Sequence, residues 1–163
     1  MAEKSKSFRQ EGNALIHTRL LNAPRELVWE VWTEPQHIKE WWGPNGFTLT
    51  HRSMEVKEGK TWDFIMHGGG QDWDNKIEYL EVVKPSLLRY RHGDGKGELS
   101  FMVTVTFEEE DGKTLLTMRS VFKSEEVIAM LDREVKAIEG GKQNLDRMEE
   151  YVKRQLEIRK DSK

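Results

Sequence analysis

Apolar positions recur every third or fourth residue near the C-terminus, and every second residue through most of the chain before it. Between Ser124 and Leu156 the residues Val127, Ile128, Leu131, Val135 and Ile138, then Leu145, Met148, Val152 and Leu156, keep helical spacing. This predicts one long helix, or two in tandem. The other face carries Asp146, Arg147, Glu149, Glu150, Lys153 and Arg154 and is expected in water. Ser124 suits the N-cap, and Glu125 and Glu126 put negative charge where the helix dipole favours it. Gly140-Gly141 interrupts the stripe. Two helical glycines cost roughly 1 kcal/mol each relative to alanine, so they mark a break, a kink or a close approach to the backbone.

The period of two begins at Ala14 to Leu21, where Leu15, His17 and Arg19 alternate with Ile16, Thr18 and Leu20. Pro24 then opens a helix whose buried stripe is Leu27, Val28, Val31 and Trp32, and Pro35 ends it. A second short helix, Gln36 to Trp42, closes at Gly43-Pro44. Strands follow at Phe47 to Val56, Thr61 to His67, Lys76 to Val83, Leu87 to His92, Leu99 to Phe107 and Thr114 to Phe122. Gly68 to Asp72 reads as a flexible tip, Gly93 to Gly97 as a loop, and Asp111-Gly112 as a type I′ hairpin turn. An antiparallel sheet with one apolar face must cover it, and only the C-terminal helix is large enough. The fold class is therefore α+β, a curved sheet wrapped around that helix. One domain is expected over residues 13–158, with a flexible tail over 1–12 and a short one over 159–163.

Charged residues make up 34%, above the roughly 25% of an average domain. With a mean hydropathy of -0.76 this predicts a water-soluble chain. No run approaches a membrane span, and the polar start MAEKSKSFRQEGN lacks the apolar centre of a signal peptide. The absence of cysteine removes disulfide and thiolate chemistry and suits the cytoplasm. A net charge of -3 with scattered signs gives no nucleic-acid footprint.

In order along the chain, Ala23-Pro24-Arg25-Glu26-Leu27-Val28-Trp29, Trp41-Trp42-Gly43-Pro44 with Phe47, Gly59-Lys60-Thr61-Trp62-Asp63-Phe64, Thr104-Val105-Thr106-Phe107 and Ile138-Glu139-Gly140-Gly141-Lys142-Gln143 resemble the START-like, or SRPBCC, superfamily. Within it they are similar to the homologues of the activator of heat-shock protein 90 ATPase. The resemblance runs from Asn13 to Leu156 and implies the helix-grip fold, with a cavity between sheet and long helix able to hold an apolar small molecule. The eukaryotic activators carry a further N-terminal domain that engages the chaperone. Only about twelve polar residues precede the first strand here.

The histidines show no metal-ligand spacing; His67, Asp72 and Asp74 flank the glycine tip without a fixed ligand set, and no metal or cofactor is expected. No nucleophile triad, phosphate loop or paired carboxylate motif stands out. Trp62, Phe64, Met66, Tyr79, Tyr90, Phe101, Val103, Met118 and Phe122 should face the long helix, opposite Leu145 and Met148, with Trp41 and Trp42 capping from the short helix. Two readings stand: these residues fill the interior, or they wall a ligand pocket with Trp62 on it. Glu139 belongs either at the pocket mouth or simply in a first helical turn. The leading expectation is a binder of a small apolar or aromatic ligand, without nucleic-acid or membrane partners. An enzyme of cyclase or hydrolase type using the same cavity, and a stress-linked chaperone partner, are the alternatives. A homodimer is left open. From the missing domain, stimulation of a heat-shock protein 90 ATPase by this chain alone should be absent or weak; robust, saturable stimulation in a steady-state ATPase assay would overturn that expectation.

Overall fold

A computed structural model of the chain describes residues 6–93 and 100–161. The elements are β1 (Lys6–Glu11), β2 (Ala14–Leu21), α1 (Arg25–Thr33), α2 (Pro35–Ile38), β3 (Thr48–Met54), β4 (Thr61–Gly68), β5 (Gln71–Val83), β6 (Leu87–Gly93), β7 (Phe101–Glu110), β8 (Lys113–Val121), α3 (Glu125–Val135) and α4 (Ala137–Asp161). The strands form one antiparallel sheet in the order β1-β2-β8-β7-β6-β5-β4-β3. Leu145, Met148 and Val152 of α4 are buried in one core with Trp62, Phe64, Tyr90 and Val105 of the sheet. This is the α+β helix-grip arrangement that the alternation and the apolar stripe predict. Asp111 and Gly112 both take positive φ, 54° and 79°, as the hairpin turn requires.

The N-terminal segment is a correction. Residues 6–11 are not a tail but an edge strand, paired with β2 from Lys6↔Arg19 to Glu11↔Ala14. Its side chains are mostly exposed, so polarity gave no sign of it; ladder hydrogen bonds hold it instead. Phe8, its one apolar residue, lies against the His17 ring at 4.8 Å and under the Lys142 ammonium at 4.8 Å. Gly12, at φ 59°, makes the turn, and Gly-Asn between two strands is a hairpin signal. The C-terminal tail is likewise shorter than expected, since α4 runs to Asp161.

The helical stretch breaks at Lys136, not at the glycines. Lys136 takes the left-handed conformation, φ 53° and ψ 50°, and its N–H donates to the Asp132 carbonyl. The Asp132 carboxylate then accepts from Ile138 N–H at 3.2 Å, capping the start of α4. Val135, expected in the apolar stripe, is therefore exposed. Ser124 caps α3 as expected, its Oγ accepting from Val127 N–H at 3.1 Å. Gly140 and Gly141 lie inside α4, where a Cβ would make only ordinary contacts, with His17 Nε2 at 3.4 Å from Gly141 and with Pro44 at 3.9 Å from Gly140.

Several boundaries also move. The glycine tip is only a two-residue turn, because β5 begins at Gln71 rather than Lys76. The second helix is one turn, Pro35–Ile38, and β3 spans Thr48–Met54 rather than Phe47 to Val56. The expected loop after Gly93 and the start of its following strand at Leu99 lie outside the described residues.

The charged face of α4 is not wholly given to water. Arg19 of β2 is 2% exposed and donates to Asp146 Oδ1 at 2.8 Å and Glu149 Oε1 at 3.1 Å. The two carboxylates keep contact with solvent, so they screen the guanidinium without themselves being stranded. This clamp and the Leu145 stripe make separate contributions. Arg19→Ala removes a buried side chain and two charge-assisted hydrogen bonds but strands no charge, and should cost about 2 kcal/mol. Leu145→Ala, at a fully buried site, should cost about 2–5 kcal/mol. Urea unfolding measures both, and a change under about 0.5 kcal/mol for either contradicts the assigned packing.

Candidate functional site

The short α2 and the loop after it are positioned by side chains of α4. The Arg147 guanidinium donates to the carbonyls of Gly43 and Pro44 at 2.9 Å each, and more distantly to those of Trp42 and Glu40. Asn144 Oδ1 accepts from Gly43 N–H at 2.8 Å, and Gln143 Oε1 from Asn45 N–H at 3.1 Å. Carbonyls left over at a helix end need donors, and Arg147 supplies them; desolvation lowers its pKa from the ordinary arginine value. Gly43, at φ 106°, leaves room that a Cβ would take from Met66 Cε, 2.7 Å away.

Held this way, Trp42 enters an aromatic cluster. Its ring meets Trp62 edge-on at 5.3 Å, Trp32 at 6.0 Å and Phe64 at 6.3 Å. Trp62 stacks on Phe64 with centroids 3.8 Å apart. Within the cluster lies a void lined by Trp32 of α1, Ile38 of α2, Trp42, Trp62 of β4, Ile77 and Tyr79 of β5, and Leu88 and Tyr90 of β6. The space open to the centre of a water-sized sphere is about 10 Å³, room for a single water.

Of the residues singled out in the sequence, Trp42, Trp62, Tyr79 and Tyr90 come together around this void. Trp41 is buried beside it, its indole N–H donating to Val31 O at 3.1 Å. Phe64, Val103, Leu145 and Met148 are buried in the same core without lining the void, and Met66 and Met118 are half-buried against it. Phe122 belongs to a second cluster with Leu15 and Ile128, and Phe101 stacks on it at 4.5 Å. Glu139 is an exposed first-turn residue of α4. The void sits under α1 and α2, so Trp32, Ile38, Ile77 and Leu88 complete it. Helical and strand periodicity mark such residues as buried but not as neighbours of a space.

The polar groups nearby separate sharply. Trp62 N–H is satisfied by His51 Nδ1 at 2.9 Å. Trp32 Nε1 and Tyr90 OH are buried with no hydrogen-bond partner among the described residues. Burial pushes the pKa of Tyr79 and of Tyr90 well above the ordinary phenol value, the neighbouring Tyr79 adding to the effect at Tyr90. At neutral pH both phenols thus keep their protons.

Two further clusters test catalytic and metal readings. Thr50 Oγ1, His67 and Asp72 form a hydroxyl–imidazole–carboxylate chain, with distances of 2.8 and 2.7 Å. Its order is that of a hydrolase triad. The Asp72 side chain is 72% exposed, however, and a carboxylate in water stabilises an imidazolium little. We read it as a cross-strand hydrogen-bond ladder. Glu30, Glu34 and His37 bring ligand atoms within 4.8 Å of one another. Those groups are engaged already: Glu30 accepts from Arg159 at 2.6 Å, Glu34 from Gln36 at 2.7 Å, and His37 Nδ1 meets Tyr151 OH at 2.7 Å. A metal there would have to compete with three protein bonds.

Two histidines are held neutral. Burial, then the charges of Arg19 and Lys142, lower His17 to about 4. Burial lowers His92 to about 4, its ring standing against Trp42, Phe64 and Phe101 while Nε2 meets Asn75 Oδ1 at 2.8 Å. On unfolding each returns to about 6.5, so the unfolded chain binds more protons between these values and stability falls as pH drops. From pH 7 to pH 5 the loss should be about 2 kcal/mol per histidine, by urea unfolding. In His92→Asn the slope over this window should fall by about half, whatever the starting stability. Stability independent of pH here would contradict the burial of both rings.

The chain resembles solved structures over most of its length. A protein from Arthrobacter aurescens aligns with TM-score 0.83 at 22% identity, covering 91% of each chain. The protein Ms6760 from Mycobacterium smegmatis aligns with TM-score 0.76 at 23% identity, covering 88% of this chain and 93% of that one. DynU16, a protein in the dynemicin biosynthetic locus, aligns with TM-score 0.64 at 20% identity, covering 86% of this chain and 47% of that one. At these identities the likeness is one of fold. No curated protein matches the sequence. The family model of the activator of Hsp90 ATPase homolog 1-like proteins matches residues 22–153, which include both short helices, strands β3 to β8 and the buried part of α4, and the chain therefore belongs to that family.

Proposed function

We propose that this protein binds a small, mostly apolar ligand of aromatic size in the chamber between α1, α2 and strands β4 to β6. The observation that carries the reading is the void itself, framed by five aromatic rings within the buried core. A space for one water does not admit such a ligand, so a wall must move. Strands β4 to β6 are locked in ladders, and α1 is held by its buried stripe. The remaining side, α2 with the Trp42 loop, is tied to α4 by side-chain hydrogen bonds and is the side able to lift. The likeness of fold to a protein from a biosynthetic locus agrees with a small-molecule reading. We place the binding in the cytoplasm, with which a chain free of cysteine is compatible.

A naphthalene-sized apolar fluorophore should bind the native protein saturably at about one per chain and quench tryptophan emission. At a hundredfold excess over its Kd it should add about 2.7 kcal/mol to stability. Trp42→Ala, which removes the roof ring and leaves the strands, should speed association. If no such probe raises the melting temperature of the wild-type protein, the chamber is only packed core.

A further inference from the structure

Trp32 and Tyr90 are each 2% exposed, and both line the void. The Trp32 indole N–H and the Tyr90 hydroxyl have no partner among the described residues, though burying an unsatisfied polar group costs about 1–3 kcal/mol. An indole can only donate, while a phenol both donates and accepts. What the pair lacks in common is an acceptor. The rest of the lining supplies none of the charge that an anion would need: Ile38, Ile77 and Leu88 are aliphatic and the other members are neutral aromatics. Moving an ionised carboxylate into such surroundings is strongly unfavourable.

We infer that the chamber selects neutral, flat, apolar molecules carrying an oxygen acceptor, such as an aromatic ketone, and that Trp32 Nε1–H and Tyr90 O–H receive that oxygen. This rests on the proposed binding function and narrows its ligand class. The apolar rings supply affinity for any hydrocarbon of the right shape. The two donors discriminate, because a ligand without an acceptor leaves both unpaired whereas a carbonyl engages them. The Trp62 N–H takes no part, being already bonded to His51.

Three probes of matched shape test this: 2-acetylnaphthalene, 2-isopropenylnaphthalene, which lacks the acceptor, and 2-naphthoate, which carries charge. The wild-type protein should bind the ketone about tenfold more tightly than the hydrocarbon, and the naphthoate most weakly. Trp32→Phe and Tyr90→Phe keep a ring and remove a donor. Each should reduce the ketone's advantage over the hydrocarbon severalfold, whatever it does to the affinity for both. In the wild-type protein, where folding is not at issue, the ketone should shift the Trp32 indole N–H resonance downfield and the hydrocarbon should not. Equal binding of ketone and hydrocarbon, with no such shift, would overturn the acceptor rule while leaving the binding function standing. Failure of both to bind would overturn the binding function and the inference together.

Discussion

The Arg147 guanidinium fixes the part of the molecule on which the site depends. By gathering the carbonyls of Gly43 and Pro44, with those of Trp42 and Glu40 further off, it satisfies a helix end and a turn that have no ladder of their own. Asn144 and Gln143, on the same helix, hold two of the loop's N–H groups. The outcome is that Trp42 stands over β4 to β6, edge-on to Trp62 and Trp32. Without that anchor the aromatic cluster would lose its roof while the sheet kept its hydrogen bonds.

The anchor in turn depends on α4 being fixed against the sheet. Apolar burial of Leu145, Met148 and Val152 sets its depth, and Arg19 fixes its lateral position through Asp146 and Glu149. The two ends of the assembly differ in kind. Beneath α3, Leu15, Phe122 and Ile128 form a small closed cluster. Beneath α1 and α2 the packing is aromatic, leaves a void and leaves two donors unpaired. A core selected only for stability tends towards neither feature.

Much of this was legible in the sequence because a half-buried strand writes its burial as alternation. Strands β2 to β8, the Asp111-Gly112 turn and the Ser124 cap all follow local rules. Strand β1 did not show, because its side chains are polar and its stability lies in backbone bonds to β2. The break at Lys136 has no compositional mark, since a left-handed lysine looks like any other lysine, while the glycines that do attract notice lie within α4. For the candidate site, periodicity showed that Trp62, Tyr79 and Tyr90 face inward. It could not show that Trp62 N–H would find His51 whereas Trp32 N–H would find nothing. Which buried donor goes unpaired is decided by distances between elements far apart in the chain.

In the proposed function, α2 and the Trp42 loop are a movable roof over an aromatic binding chamber. Native-state hydrogen exchange, read by mass spectrometry with and without a saturating naphthyl ketone, tests it most directly. The account predicts that peptides covering residues 36–47 exchange through an opening much smaller than global unfolding, well ahead of β4 to β6, and that the ketone slows them selectively. Exchange of that segment only through global unfolding, with no selective protection by the ketone, would contradict it.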